Sequence, residues 1–184
     1  MLHNLLFALW FLLPAALANV APIFGAVTPG IKHLNAPIDG GRRYRGKALL
    51  GSHKTWRGLV LGMIVSTIVF VLQRLAVSHT SWGQSLAHGI NYADLSPLLG
   101  PLFGFGALGG DAIESFFKRQ RGVKSGEAWV PFDQLDYIFG GLLVTLPFVL
   151  LTPIWYGFII LVWFVMHLLA SYVGYLLGLK AKPI

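Results

Sequence analysis

The stretch GDAIESFFKRQRGVKSGEAWVPFDQLDYIFGG, residues Gly110 to Gly141, decides how this chain folds. The chain carries fourteen basic and seven acidic residues, and nine of those charges fall here. They are Asp111, Glu114, Lys118, Arg119, Arg121, Lys124, Glu127, Asp133 and Asp136. Five of the seven acids lie in this one segment, and apolar sequence flanks it on both sides. It reads as a polar loop between two hydrophobic spans.

Composition supports that reading. The chain has 184 residues, suited to one domain, and is 55% hydrophobic but only 11% charged. A soluble domain carries roughly 25% charged residues, so membrane integration is the expected class. The net charge of +7 reads as loop charge facing anionic headgroups or phosphates. A nucleic-acid polymer is not an expected partner. The absence of cysteine excludes disulfides and thiolate metal sites. The sequence carries no signature of an oligomeric state.

Working outward, five apolar segments appear: 2–24, 57–77, 96–117, 137–151 and 154–179. Most approach the roughly 20 residues that cross a bilayer core; the fourth is short, which points to tilt, local thinning of the membrane, or joining to the fifth through the Thr152-Pro153 turn. Continuous apolar runs without alternation exclude a barrel, leaving helices as the structure that satisfies its backbone in lipid. The first segment reads as a retained span with a kink at Pro14. The alternative is a cleaved signal ending at Ala16-Leu17-Ala18, but only His3 stands where a basic leader would be.

Lys32, Arg42, Arg43, Arg45, Lys47, Lys54 and Arg57 follow the first span. Lys118, Arg119, Arg121 and Lys124 follow the third, and Lys180 and Lys182 lie in the tail. Only Arg74 falls on the opposite side. The positive-inside rule puts the basic side in the cytoplasm, with the N-terminus outside and the C-terminus inside. The expected protein is an all-α, multi-pass cell-membrane protein with about five transmembrane helices. It is a single domain over 1–184, with functional cytoplasmic loops at 25–56 and 118–136. Segment 79–95 is the sizeable external loop, with Trp82 and Tyr92 as interface anchors.

The loop NAPIDGGRRYRGKALLGSHKTWRGLVLG, residues 35–62, is rich in glycine. Lys54 and Thr55 stand just before span two, where a cation, hydroxyls and helix-start N–H groups suit phosphate. The Walker spacing is absent, and contact with anionic lipid is the competing use of the same charges. His53 is the one histidine in a candidate motif, as an auxiliary phosphate donor. His167, on span five, reads as an interhelical hydrogen-bonding residue.

In the opening stretch, Asp111, Ser115 and Lys118 share a helix face, and Asp133 and Asp136 share another. Glu114 and Lys118 read as an ordinary i,i+4 pair. Carboxylates at the end of an apolar span are expensive and usually functional. Three of them without thiolates resemble a hard-cation site of the kind Mg²⁺ occupies beside substrate phosphate. A structural salt-bridge cluster is the alternative. Gly100, Gly104, Gly106, Ala107 and Gly109 permit close helix packing, or shape a groove for lipid chains.

Together the two loops resemble the signature of the membrane phosphatidate cytidylyltransferase superfamily. The pattern runs Gly110-Asp111, Ser115, Lys118-Arg119, Gly122, Lys124, Pro131, Asp133 and Asp136, preceded by Ser52-His53-Lys54-Thr55-Trp56-Arg57-Gly58. Its diacylglycerol-type enzymes have His-Gly-Gly before the first final Asp, and an Arg between the two. Here the region reads Val130-Pro131-Phe132-Asp133-Gln134-Leu135-Asp136. With the small size and the Asn35-Ala36-Pro37…Asp39 element, that form is similar to the archaeal, CDP-archaeol-forming branch.

The resemblance implies transfer of CMP from CTP to a lipid phosphate in the bilayer, releasing pyrophosphate in phospholipid biosynthesis. For the archaeal branch the lipid is 2,3-bis-O-geranylgeranylglycerol 1-phosphate; phosphatidic acid is the alternative. Asp111, Asp133 and Asp136 are implied as ligands of one or two Mg²⁺ ions, with Lys118 catalytic. Lys54, Thr55, Arg119 and Lys124 are implied phosphate contacts beside Lys118. Asn35, Asp39, Ser52 and Ser115 are further substrate-binding candidates. The rival classes are a small transporter, which predicts midplane polar groups and repeated halves, and a lipid-binding protein, which needs no acids.

Overall fold

The computed structural model describes residues 1–25, 33–124, 127–178 and 182–183. Lys32, Leu179 and Lys180 lie outside the described residues. The elements in chain order are α1 (Leu2–Phe24), β1 (Arg43–Tyr44), β2 (Lys47–Ala48), α2 (Trp56–His79), α3 (Ser81–Leu86), α4 (Leu99–Gln120), α5 (Phe132–Leu143) and α6 (Pro153–Leu176). The hairpin is the departure from an all-helical chain: Arg43 pairs with Ala48 and Tyr44 with Lys47 in antiparallel register.

Helices α1, α2 and α6 are long and apolar enough to cross a membrane. α4 runs one turn later than the apolar segment 96–117, and its final turns carry charge. Lys118 and Arg119 there complement the exposed carbonyls of the helix end. The fourth element differs more from expectation. α5 starts five residues before Tyr137, with Asp133 in its first turn. It ends at Leu143 because Pro147 disfavours helix at the residue before it. The chain then turns, held by Thr145 Oγ1 donating to Leu142 O at 2.7 Å, and enters α6 through Pro153 at its start.

α1 is the central helix. It buries Phe7, Ala8, Phe11, Leu12, Ala15 and Ala18 against its neighbours. α2 and α6 instead expose Ile68, Leu72, Leu161 and Leu169, an apolar outer belt suited to hydrocarbon. Pro14 has no N–H, so the Trp10 carbonyl one turn earlier loses its helical partner. Gln73 of α2, 1% exposed, donates its Nε2 to that carbonyl at 2.6 Å. A buried side chain thus repairs the backbone gap left by the kinking residue, as a hydrocarbon-embedded helix requires.

The five longer helices alternate in direction between two ends. At one end His88 packs 4.6 Å from Trp155 and 5.7 Å from His3, ring centre to ring centre. At the other, Lys54 meets Asp111 and Asn19 lines the same cavity. Between α2 and α4 the chain is not a plain loop. Thr80 closes α2 by donating to Ala76 O at 2.7 Å, and opens α3 by accepting from Gly83 N at 3.0 Å. Trp82 is exposed at this edge, but Tyr92 is only 2% exposed and packs on Phe70 rather than anchoring at an interface.

Candidate active site

α4 and α5 touch backbone to backbone at the charged end. Gly106 and Gly110 of α4 face Gly140 and the Asp136 carbonyl of α5, and a Cβ at any of the three glycines would collide with backbone. This contact brings Asp136 beside Asp111 and Glu114. Gly100 and Gly104 serve close packing of α4 on α2, whereas Gly109 has open space in front of it and lines a cavity.

Carboxylate oxygens of Asp111, Glu114 and Asp136 lie within 4.8 Å of one another. Asp111 and Glu114 are one turn apart on α4, and Asp136 faces them from α5. Asp133 is not one of these three but lines a polar cavity with them. Its Oδ1 accepts from Lys118 Nζ at 2.5 Å, and its Oδ2 from Trp129 N at 2.6 Å. Asp136 Oδ1 accepts from the Tyr137 N–H.

Two lysines hold these acids from the polar side. Lys54 Nζ contacts both oxygens of Asp111, at 2.7 and 2.6 Å. Lys118 Nζ, bonded to Asp133, lies 3.8 Å from Glu114 Oε1. That Oε1 is buried and accepts no hydrogen bond. Three converging carboxylates with an unsatisfied buried acceptor form an all-oxygen donor set, the chemistry a hard divalent cation takes.

Cavities open on both sides of this cluster. A polar one of about 230 Å³ is lined by Lys54, Ser115, Lys118, Arg119, Asp133 and the acid cluster. A second, of about 250 Å³, shares Asn19, His53, Lys54 and Asp111 with it, and adds Thr55. On the other side an apolar cavity of about 770 Å³ runs between α4, α5 and α6, lined by residues such as Phe105, Ile113, Phe117, Phe139 and Leu143. Glu114 and Asp136 line both the first polar cavity and this apolar one.

The other residues singled out from sequence divide. Thr55 caps α2, accepting from Gly58 N at 3.2 Å, while its loop pairs Pro37 with Thr55. Asp39 pins that loop by accepting from Gly41 N and Leu50 N, each at 2.9 Å. Asn35 and Ser52 are exposed and line none of these cavities, and Lys124 is likewise exposed, its N–H bonded to Glu127. Ser115 Oγ lies 3.4 Å from Glu114 Oε2. Arg119 donates to Lys124 O at 3.4 Å.

Sequence reasoning gave Glu114 only a supporting part and passed over Asn19. The one signal for Asn19 is a lone amide late in an apolar run, Ala18-Asn19-Val20.

Comparison with known proteins finds relatives along nearly the whole chain. CDP-archaeol synthase of Thermococcus onnurineus is 35% identical, with 99% of this chain and 98% of that protein aligned. The enzyme of the same name from Methanocaldococcus jannaschii is 33% identical, with 98% of each covered. A solved structure of an intramembrane enzyme for archaeal membrane lipids biosynthesis superposes with a TM-score of 0.69 at 30% identity, covering 89% of this chain and 92% of that one. A family model described as CarS-like, CDP-archaeol synthase, matches residues 1–184, and with an acid cluster set between a polar and an apolar cavity, the chain belongs to that family.

Proposed function

We propose that this protein transfers CMP from CTP to 2,3-bis-O-geranylgeranylglycerol 1-phosphate, yielding CDP-archaeol and pyrophosphate. The observation that carries the reading is the sharing of Glu114 and Asp136 between a polar and an apolar cavity. The charged lining of the first suits the triphosphate of a water-soluble nucleotide, and the apolar lining of the second suits lipid chains whose phosphate end would meet the same carboxylates. An oxygen of the lipid phosphate forms the new bond to the α-phosphorus of CTP. The bond from that phosphorus to the α–β bridging oxygen breaks, and the electron pair leaves with pyrophosphate. The nucleophile is already ionised, so no strong general base is required.

Asp111, Glu114 and Asp136 would hold Mg²⁺, as one or two ions. When bound, Mg²⁺ supplies hard positive charge that screens the meeting of two anions and stabilises the leaving group. The chain's own cations do related work. Lys54 and Arg119 line the polar side, where triphosphate oxygens are expected. Lys118, fixed by Asp133, holds positive charge beside Glu114.

The basic loops and the acid cluster share one end of the molecule, which supports a cytoplasm-facing site. Five passes, with the fourth made by α5 and the turns after Asp136, fit the alternating helix directions.

The deciding assay uses purified protein, radiolabelled CTP and Mg²⁺ with a panel of lipid phosphates, phosphatidic acid included. The expected result is a labelled CDP-lipid, formed fastest with the geranylgeranyl substrate and lost with EDTA. A folded sample that labels none of the panel defeats the reading. Faster labelling of phosphatidic acid moves the activity to the diacylglycerol branch.

A further inference from the structure

The two cavities that meet at Glu114 and Asp136 do not share their cations. Lys54, Lys118 and Arg119 line the polar one. Arg121 is the basic residue, among the described residues, that lines the apolar one. Lys54 and Lys118 are paired with Asp111, Glu114 and Asp133. Arg121 has no carboxylate within 4.0 Å among the described residues.

Its position is built by the local fold. Arg121 closes α4, donating its backbone N–H to Phe117 O at 3.0 Å. Gly122 then takes φ +81°, a left-handed turn that glycine adopts at little cost. After the turn the chain returns with Trp129, also on the cavity wall, and the Arg121 guanidinium carbon lies 5.2 Å from the centre of its ring. Trp129 is itself stacked on Phe132 at 4.3 Å. A guanidinium resting on an aromatic face keeps its in-plane N–H donors free, in a fork that matches two phosphate oxygens.

A lipid phosphate entering from the apolar cavity approaches two carboxylates, so it needs a cation on its own side. Resting on the reaction proposed above, we infer that Arg121, braced by Trp129, binds the phosphate of the lipid substrate. It thereby distinguishes a lipid phosphate from the same lipid carrying a neutral hydroxyl.

The test compares wild type with Arg121→Ala, Arg121→Lys and Trp129→Leu in the full chain. Binding of 2,3-bis-O-geranylgeranylglycerol 1-phosphate, and of the same lipid without its phosphate, is measured in the absence of CTP and metal. The KM for each substrate is then measured in turnover. Arg121→Ala is expected to weaken lipid-phosphate binding roughly 10- to 100-fold, the loss typical of a charge-assisted hydrogen bond. The lipid KM should rise alongside, with the neutral lipid and the KM for CTP unmoved. Arg121→Lys should fall between, and Trp129→Leu should weaken lipid-phosphate binding more than neutral-lipid binding.

Unchanged lipid-phosphate affinity in Arg121→Ala overturns the inference, as does equal weakening of the phosphorylated and neutral lipids. A wild-type protein that converts no lipid phosphate defeats the parent reading instead.

Discussion

Glu114 lies one turn from Asp111, buried, with one carboxylate oxygen accepting no hydrogen bond. Its chemistry differs from that of Asp133, whose two oxygens are both occupied. The substitutions Asp111→Asn, Glu114→Gln and Asp136→Asn are therefore expected to lower CTP-dependent turnover by at least about 100-fold each, on the scale of losing a charge-stabilising group at the reacting centre. Asp133→Asn acts by loosening Lys118, with a loss of roughly 10- to 100-fold, the range for a supporting partner. Steady-state rates across a Mg²⁺ titration check both. A Glu114→Gln protein with wild-type rate and Mg²⁺ dependence removes Glu114 from the cluster. Asp111, Asp136, Lys54 and Lys118 are legible in sequence because charge stands out in so apolar a chain. Glu114 is not, since its i,i+4 relation to Lys118 already accounts for it. Only the angle at which α5 meets α4 reveals what else it faces.

At the scale of helices, the repair of α1 by Gln73 makes a sharp expectation. Gln73→Leu leaves the Trp10 carbonyl buried and unpaired, costing about 1–3 kcal/mol. In a Pro14→Ala background the helix supplies its own N–H to that carbonyl, so the same change should cost less. Thermal unfolding of the four proteins in detergent measures the difference. Equal costs in both backgrounds would separate Gln73 from the proline gap. The α4–α5 contact gives a second test, since Gly110→Ala drives a Cβ into the Asp136 carbonyl. It should destabilise by about 1–3 kcal/mol and displace Asp136, whereas Gly109→Ala meets open space and should leave stability unchanged. Melting curves and activity of the pair check this. The apolar runs make α1 readable to the residue, and α2 and α6 to within about three residues at each end. α5 is misjudged because hydropathy follows side chains, whereas this helix is bounded by Pro131 at its cap and Pro147 beyond its end.

For the whole molecule, alternating helices place Ser52 with the acid cluster's end and Ser85 beside Trp82 at the other. The chain has no cysteine, so Ser52→Cys and Ser85→Cys each introduce a single clean thiol. An impermeant maleimide applied to intact cells is expected to label Ser85→Cys and to reach Ser52→Cys only after lysis. The reverse pattern inverts the topology. The helical, membrane-embedded class is legible from hydropathy, but the meeting of two cavities is not, because it depends on glycine contacts far apart in sequence. That meeting also governs how the reaction ends. In the proposed chemistry the new molecule has its cytidine in the aqueous cavity and its chains in the oily one, while pyrophosphate has no apolar part at all. The two products therefore depart into different phases, one sideways into the bilayer and one into water. In that chemistry each direction joins one water-borne partner to one bilayer-borne partner, so the boundary that Glu114 and Asp136 straddle makes turnover answer to the supply of both compartments at once.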